Sequence, residues 1–172
     1  PPFERPTAQR TASSFDAIVK EEMKRPTFTG GVSTKQSWKT ALRYFREVHG
    51  DLTPQEITRR QVSHLGDLLA LSPTKRVIKK AERAWPLPKL VDAYEGKEIE
   101  RLSWKTRSAI HGSLQAAWNR CQRSGGIDVE LVNPFAGPNL GRAPAPRKNN
   151  GLSRSEASAI FALPVFTAGD RP

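Results

Sequence analysis

Apolar residues recur at helical spacing along most of this chain. Phe15, Ile18, Val19 and Met23 line one side of residues 15–24, with Ser14 placed to cap the start and Lys24-Arg25-Pro26 closing the end. Trp38, Ala41, Leu42, Phe45 and Val48 follow the i, i+3, i+4, i+7 rhythm and predict a helix over 34–48, opened by Ser33 and ended by Gly50. Val62, Leu65, Leu68, Leu69 and Leu71 form the buried side of a helix at 58–71, stopped by Ser72-Pro73. Residues 74–85 read as a short exposed basic helix, broken by Pro86 and Pro88, with a further helical turn at 89–95. Ser103 caps the longest helix, 104–123, whose buried side carries Ile110, Leu114, Ala117, Trp118 and Cys121 and which ends at Gly125-Gly126. Ser153 to Glu156 is a capping box opening a last helix with Ala157, Ile160, Phe161 and Leu163. No stretch alternates as a strand does, and no repeat is present. The expected fold is all-α: a small helical bundle, then a linker and one further helix. Residues 1–12 are expected to be a disordered arm, 13–131 the bundle, 132–152 a linker rich in Pro, Gly and Asn, and 153–172 the last helix.

Composition narrows the function. Over 172 residues, 28 Lys and Arg stand against 17 Asp and Glu, a formal net charge of +11, with a pI near 10.3. Such an excess is the electrostatic footprint of a nucleic-acid binder. The longest apolar runs, such as 159–163, are far short of the roughly 20 residues a transmembrane helix needs. One cysteine, Cys121, excludes an internal disulfide framework; with His49, His64 and His111 scattered, it also excludes a Cys/His zinc cluster. The lone thiol fits a reducing, cytoplasmic setting, and no secretory signal is visible. The chain opens on Pro-Pro-Phe and stops just past an expected helix, as a piece of a longer protein would.

Two helices carry the charge in a particular place. On the 34–48 helix Lys35, Arg46, Lys39 and Arg43 fall at about 0°, 20°, 40° and 80°, while the apolar set centres near about 275°. On the 104–123 helix Lys105, Arg120 and Arg123 lie within about 60° of one another, opposite the apolar side. Thr34, Gln36 and Thr40 accompany the first stripe, and Ser108, Gln115 and Asn119 the second. A helix that reads DNA needs this layout: one stripe buried, and long cations with small polar groups offered to phosphates and base edges. Surface helices also carry Lys and Arg for solubility alone. Two stripes, a basic 74–83 segment (Lys75, Arg76, Lys79, Lys80 and Arg83 against Glu82) and a linker whose Arg142, Arg147 and Lys148 meet no acid shift the balance to nucleic acid.

Catalytic chemistry is sparse. Cys121 and His111 fall on buried sides, Glu21 and Glu22 point apart, and Gly30-Gly31 lacks the strand and lysine of a phosphate loop. Trp38 and Trp118 read as core. No catalytic residue, metal or cofactor is assigned. The competing reading is a helical protein–protein adaptor that docks an acidic partner.

The order of segments resembles the N-terminal half of a tyrosine recombinase (phage-integrase family). The segments are VSTKQSWKTALRYFREVHGD, LTPQEITRRQV, LSWKTRSAIHGSLQAAWNRCQRSGGIDVELVNPF and, after a basic linker, LSRSEASAIFALPVF. The resemblance implies a core-binding domain that grips one side of duplex DNA at an attachment-type site, followed by the first helix of a truncated catalytic domain. It assigns DNA contacts to Lys35, Lys39, Arg43, Arg46, Lys105, Arg120 and Arg123, with Arg147 and Lys148 tracking the backbone between the two halves of the clamp; Asn119 joins the candidate contacts as the polar companion of the second stripe. The parent would break and rejoin DNA through a tyrosine, without metal or nucleotide, and self-associate on DNA. This chain would only bind, as a monomer. None of the three histidines is followed by Arg three residues later, and neither Tyr44 nor Tyr94 has the nucleophile's context.

Overall fold

A computed structural model describes residues 13–137 together with residues 140, 141, 145, 158 and 159. Five α-helices follow one another: α1 (Phe15–Glu22), α2 (Val32–His49), α3 (Arg59–Leu71), α4 (Leu87–Ala93) and α5 (Trp104–Arg123). Single 3₁₀ turns lie at Pro54–Glu56 and Lys80–Glu82. Among the described residues the only β pairing is an isolated bridge between Pro73 and Arg101. The fold is an all-α bundle, and none of its described helices is long and apolar enough to cross a membrane.

Side-chain caps set three of the helix starts. Ser14 Oγ accepts from the Ala17 amide at 3.3 Å, and Ser103 Oγ accepts from the Thr106 amide at 3.2 Å. Thr58 and Gln61 close a capping box, Gln61 Oε1 accepting from the Thr58 amide at 2.7 Å. α2 starts at Val32 rather than behind Ser33, with Gly31 at the cap position and no side-chain bond. Its far end stops at Gly50, whose φ of 76° suits glycine.

The core gathers on an aromatic cluster. The Phe135 ring is fully buried, 5.4 Å from Phe45, 5.6 Å from Phe15 and 5.9 Å from Trp118. Burial of one such ring stabilises by about 1.5–3 kcal/mol. Asn133 turns the chain inward to deliver it: its Oδ1 accepts from the Phe135 amide at 2.9 Å, and its Nδ2 donates to Asn119 Oδ1 at 2.8 Å. The bundle therefore continues past the expected boundary at residue 131. α2 and α5 make the most extensive helix pair, with Trp38, Trp118 and Cys121 all buried as expected.

The 74–85 stretch is not a helix. It is a series of turns around the Lys80–Glu82 3₁₀ segment. A helix there would set Lys75 against Lys79, Arg76 against Lys80 and Lys79 against Arg83 at i, i+4, each a repulsive pair. Pro86 further disfavours helical geometry at Trp85. Pro86 and Pro88, expected as breakers, instead start α4 as its cap and second residue, where a missing N–H costs nothing. Leu71, expected on the buried side of α3, is 53% exposed because the helix ends at that residue. The 1–12 arm, Arg142, Arg147 and Lys148 of the linker, and the 153–172 helix lie outside the described residues, apart from Ser158 and Ala159, which are helical and exposed.

Candidate nucleic-acid interface

α2 and α5 expose the sides opposite their core faces. Lys39, Arg43 and Arg46 on α2 and Lys105, Asn119 and Arg123 on α5 are exposed; Lys35 is half-buried, its Nζ 5.2 Å from the Phe28 ring centroid. The two helices meet at one place on this surface. A groove of about 330 Å³ runs between the start of α2 and the end of α5, lined by Thr34 and Trp38 on one side and by Ala116, Asn119 and Arg123 on the other. This brings one polar companion of each stripe, Thr34 and Asn119, to the same groove. Lys105 lies 18 residues before Arg123 along α5, which is about 27 Å at 1.5 Å per residue.

The cations differ in their counter-charges. Among the described residues Lys35, Lys39, Lys105 and Arg123 have no carboxylate oxygen within 4.0 Å. Arg43 Nε lies 3.6 Å from Glu47 Oε1, and Arg46 Nη1 lies 3.5 Å from Asp16 Oδ2, a carboxylate also held by Lys20 at 2.5 Å. In both pairs the arginine is exposed and the carboxylate half-buried.

Arg120 has a different task. Its Nε donates to Glu22 Oε1 at 2.7 Å, and its Nη2 donates to the Thr27 carbonyl at 2.7 Å. Glu22 is buried, with Arg25 Nε 3.3 Å from its other oxygen, and Arg25 Nη1 donates to the Ser124 carbonyl. Burial pushes the Glu22 carboxyl up. Hydrogen bonds from Ser124 and Arg120 and the charges of Arg25 and Arg120 outweigh it and hold the group below its ordinary range. The wheel placed Arg120 on the solvent side; the structure spends it on tying α5 to α1 and the turn after α1. Asn119 is also partly committed, its Oδ1 accepting from Asn133. Arg147 and Lys148 lie outside the described residues.

The fold also joins groups that sequence spacing kept apart. His49 of α2 and His64 of α3 stand ring to ring with centroids 5.5 Å apart, and His49 Nε2 is 2.9 Å from the Gln61 carbonyl oxygen. Burial lowers the His49 pKa. Among the described residues no three His, Cys, Asp or Glu side chains form a metal-binding group. His111 is fully buried with both ring nitrogens lacking a described partner, and burial with the nearby Arg107 charge pushes its pKa down to about 4. Burial pushes the Cys121 thiol up to about 12, which makes it a core hydrophobe rather than a nucleophile. No known family, no curated protein and no solved structure matches this chain.

Proposed function

We propose that this chain binds duplex DNA, as the core-binding part of a recombinase of the tyrosine recombinase (phage-integrase) type. The observation that carries the reading is the display of Lys35, Lys39, Lys105 and Arg123, with no carboxylate oxygen within 4.0 Å among the described residues, on the outer sides of the most closely associated helix pair. Arg43 and Arg46 add charge that the half-buried carboxylates of Glu47 and Asp16 partly offset. The order of the helical segments supports the family, and DNA strand exchange belongs to the parent protein in this reading. Phosphate neutralisation supplies the affinity, and Asn119 and Thr34 stand where base edges or sugars would be met.

A salt titration of binding to labelled duplex tests it. Neutralising about five to eight phosphates gives a slope of log K against log salt of about −4 to −7. Lys39→Glu with Arg123→Glu is expected to shrink that slope while helicity stays unchanged, because both side chains face solvent. A flat slope for the unaltered protein, with capture of an acidic protein at moderate salt, overturns the reading in favour of an adaptor.

A further inference from the structure

The densest run of Lys and Arg along the described chain lies off α2 and α5, in the connection from α3 to α4 and the first turn of α4. Lys75, Arg76, Lys79, Lys80, Arg83 and Lys89 are all exposed, and none has a carboxylate oxygen within 4.0 Å among the described residues. Glu82 is the single acid among residues 75–89. It is turned inward: the Tyr94 hydroxyl donates to Glu82 Oε2 at 2.6 Å, and the Lys79 amide donates to the same oxygen at 3.2 Å. The Tyr94 hydrogen bond in turn holds the Glu82 pKa below its ordinary value, so the carboxylate stays charged in its internal role.

The loop is built to hold that display. At its start the Thr74 amide donates to the Glu100 carbonyl at 3.0 Å and Thr74 Oγ1 donates to Glu100 Oε2 at 3.1 Å, beside the Pro73–Arg101 bridge. The Arg101 guanidinium is consumed by the carbonyls of Leu71, Tyr94 and Lys97. At its end Lys89 Nζ sits 4.3 Å from the Trp85 ring centroid, and the Leu87 amide donates to Glu47 Oε2 at 2.9 Å. The other oxygen of Glu47 faces Arg43. The loop thus joins the cationic edge of α2 through one shared carboxylate.

Six exposed cations with no carboxylate oxygen within 4.0 Å among the described residues, abutting one edge of the proposed DNA-binding face, suit the continuous phosphate row of a strand leaving that face. We infer that the α3–α4 loop is a second phosphate-contact surface. It holds a stretch of the duplex backbone beyond the one met by α2 and α5, and Lys75, Arg76, Lys80 and Arg83 are its principal contacts. The inference rests on the proposed DNA-binding function, and the loop's role is separable from that function by experiment.

The test is fluorescence anisotropy of a labelled 30-base-pair duplex over a salt series, with the full chain and two variants. The loop variant is Lys75→Gln, Arg76→Gln, Lys80→Gln and Arg83→Gln; the face variant is Lys39→Gln, Lys105→Gln and Arg123→Gln. Each lost phosphate contact reduces the slope by about 0.9. The loop variant is expected to lose about 2 to 4 from the slope, with circular dichroism unchanged because all four side chains are exposed. The face variant is expected to lose a comparable share independently. A loop variant with the slope of the unaltered protein overturns this inference and leaves the proposed function standing, provided the face variant loses binding. A flat slope for the unaltered protein removes both. If the loop variant loses capture of polyglutamate while its duplex slope is unchanged, the loop serves an acidic protein, and the inference fails. Should the fourfold variant lose helicity, Lys80→Gln with Arg83→Gln is measured instead, with an expected slope change of about 1 to 2.

Discussion

The α2–α5 face and the α3–α4 loop are both rich in Lys and Arg, yet the fold neutralises them to different extents. On the helices Arg43, Arg46 and Arg120 meet carboxylates, while Lys35, Lys39, Lys105 and Arg123 have none within 4.0 Å among the described residues. Asp16 of α1 reaches Arg46, and Glu22, from the same helix, captures Arg120 across nearly a hundred residues of sequence. In the loop Glu82, the one acid among residues 75–89, bonds Tyr94, and no loop cation has a carboxylate oxygen within 4.0 Å among the described residues. Counting charges in a segment therefore ranks surfaces poorly. What matters is which acid faces each cation in space: Arg43 meets Glu47 of its own helix, whereas Arg46 and Arg120 meet carboxylates of α1.

The largest expected effect separates the structural arginine from its exposed neighbour. Arg120→Ala leaves the buried Glu22 carboxylate with Arg25 as its remaining cation and is expected to cost about 3 kcal/mol in urea unfolding. Arg123→Ala, three positions on, is expected to stay within about 0.5 kcal/mol of the unaltered protein and to weaken duplex binding instead. Equal stability of the two variants would place Arg120 with the exposed cations.

Acid acts on the bundle under the helical face and leaves the loop's Lys and Arg charged. His111 has its pKa held at about 4 in the folded protein against 6.5 for the free side chain. The unfolded chain thus takes up a proton below pH 6.5 that the folded one refuses until about 4. Stability is complete above about pH 6.5 and falls as pH drops toward 4, by about 3 kcal/mol in all. Glu22, with its pKa lowered, adds a loss at still lower pH as its carboxylate is protonated. Chemical denaturation at pH 7, 5.5 and 4.5 reads the first component, and His111→Leu is expected to flatten it.

The smallest effect probes neutralisation directly. Glu47→Gln keeps an acceptor for the Leu87 amide while removing the charge beside Arg43. Duplex affinity at low salt is expected to rise about twofold to fivefold, the range of an exposed ion pair. Unchanged affinity would mean that Arg43 does not face the DNA. Cys121 offers a control throughout: with its thiol buried and its pKa pushed up to about 12, it is expected to resist thiol reagents in every folded variant and to react on unfolding.

Local patterning carried much of the fold. The bounds of α5 could be read from Ser103 and the apolar spacing, because capping and amphipathicity act within a few residues; Thr58, read as the first residue of its helix, is instead the cap of α3. Residues 74–85 resisted the same reading. Their apolar positions are few, and repulsion between like charges outweighs their helical propensity. Phe135 lay in a segment assigned to the linker, since nothing in an Asn-Pro-Phe run announces that its ring completes a cluster with Phe15, Phe45 and Trp118. The His49–His64 contact was equally hidden, because it depends on how α2 meets α3.

Helix periodicity and net charge, set by composition and by contacts within a turn or two, already specified an all-α bundle with two positive helical faces. Which of those charges stay free was decided by packing. Besides a partner three or four residues away, Glu22, Glu47 and Glu82 each find one across a chain connection that no helical wheel spans, and interactions at a few ångströms depend on that final arrangement.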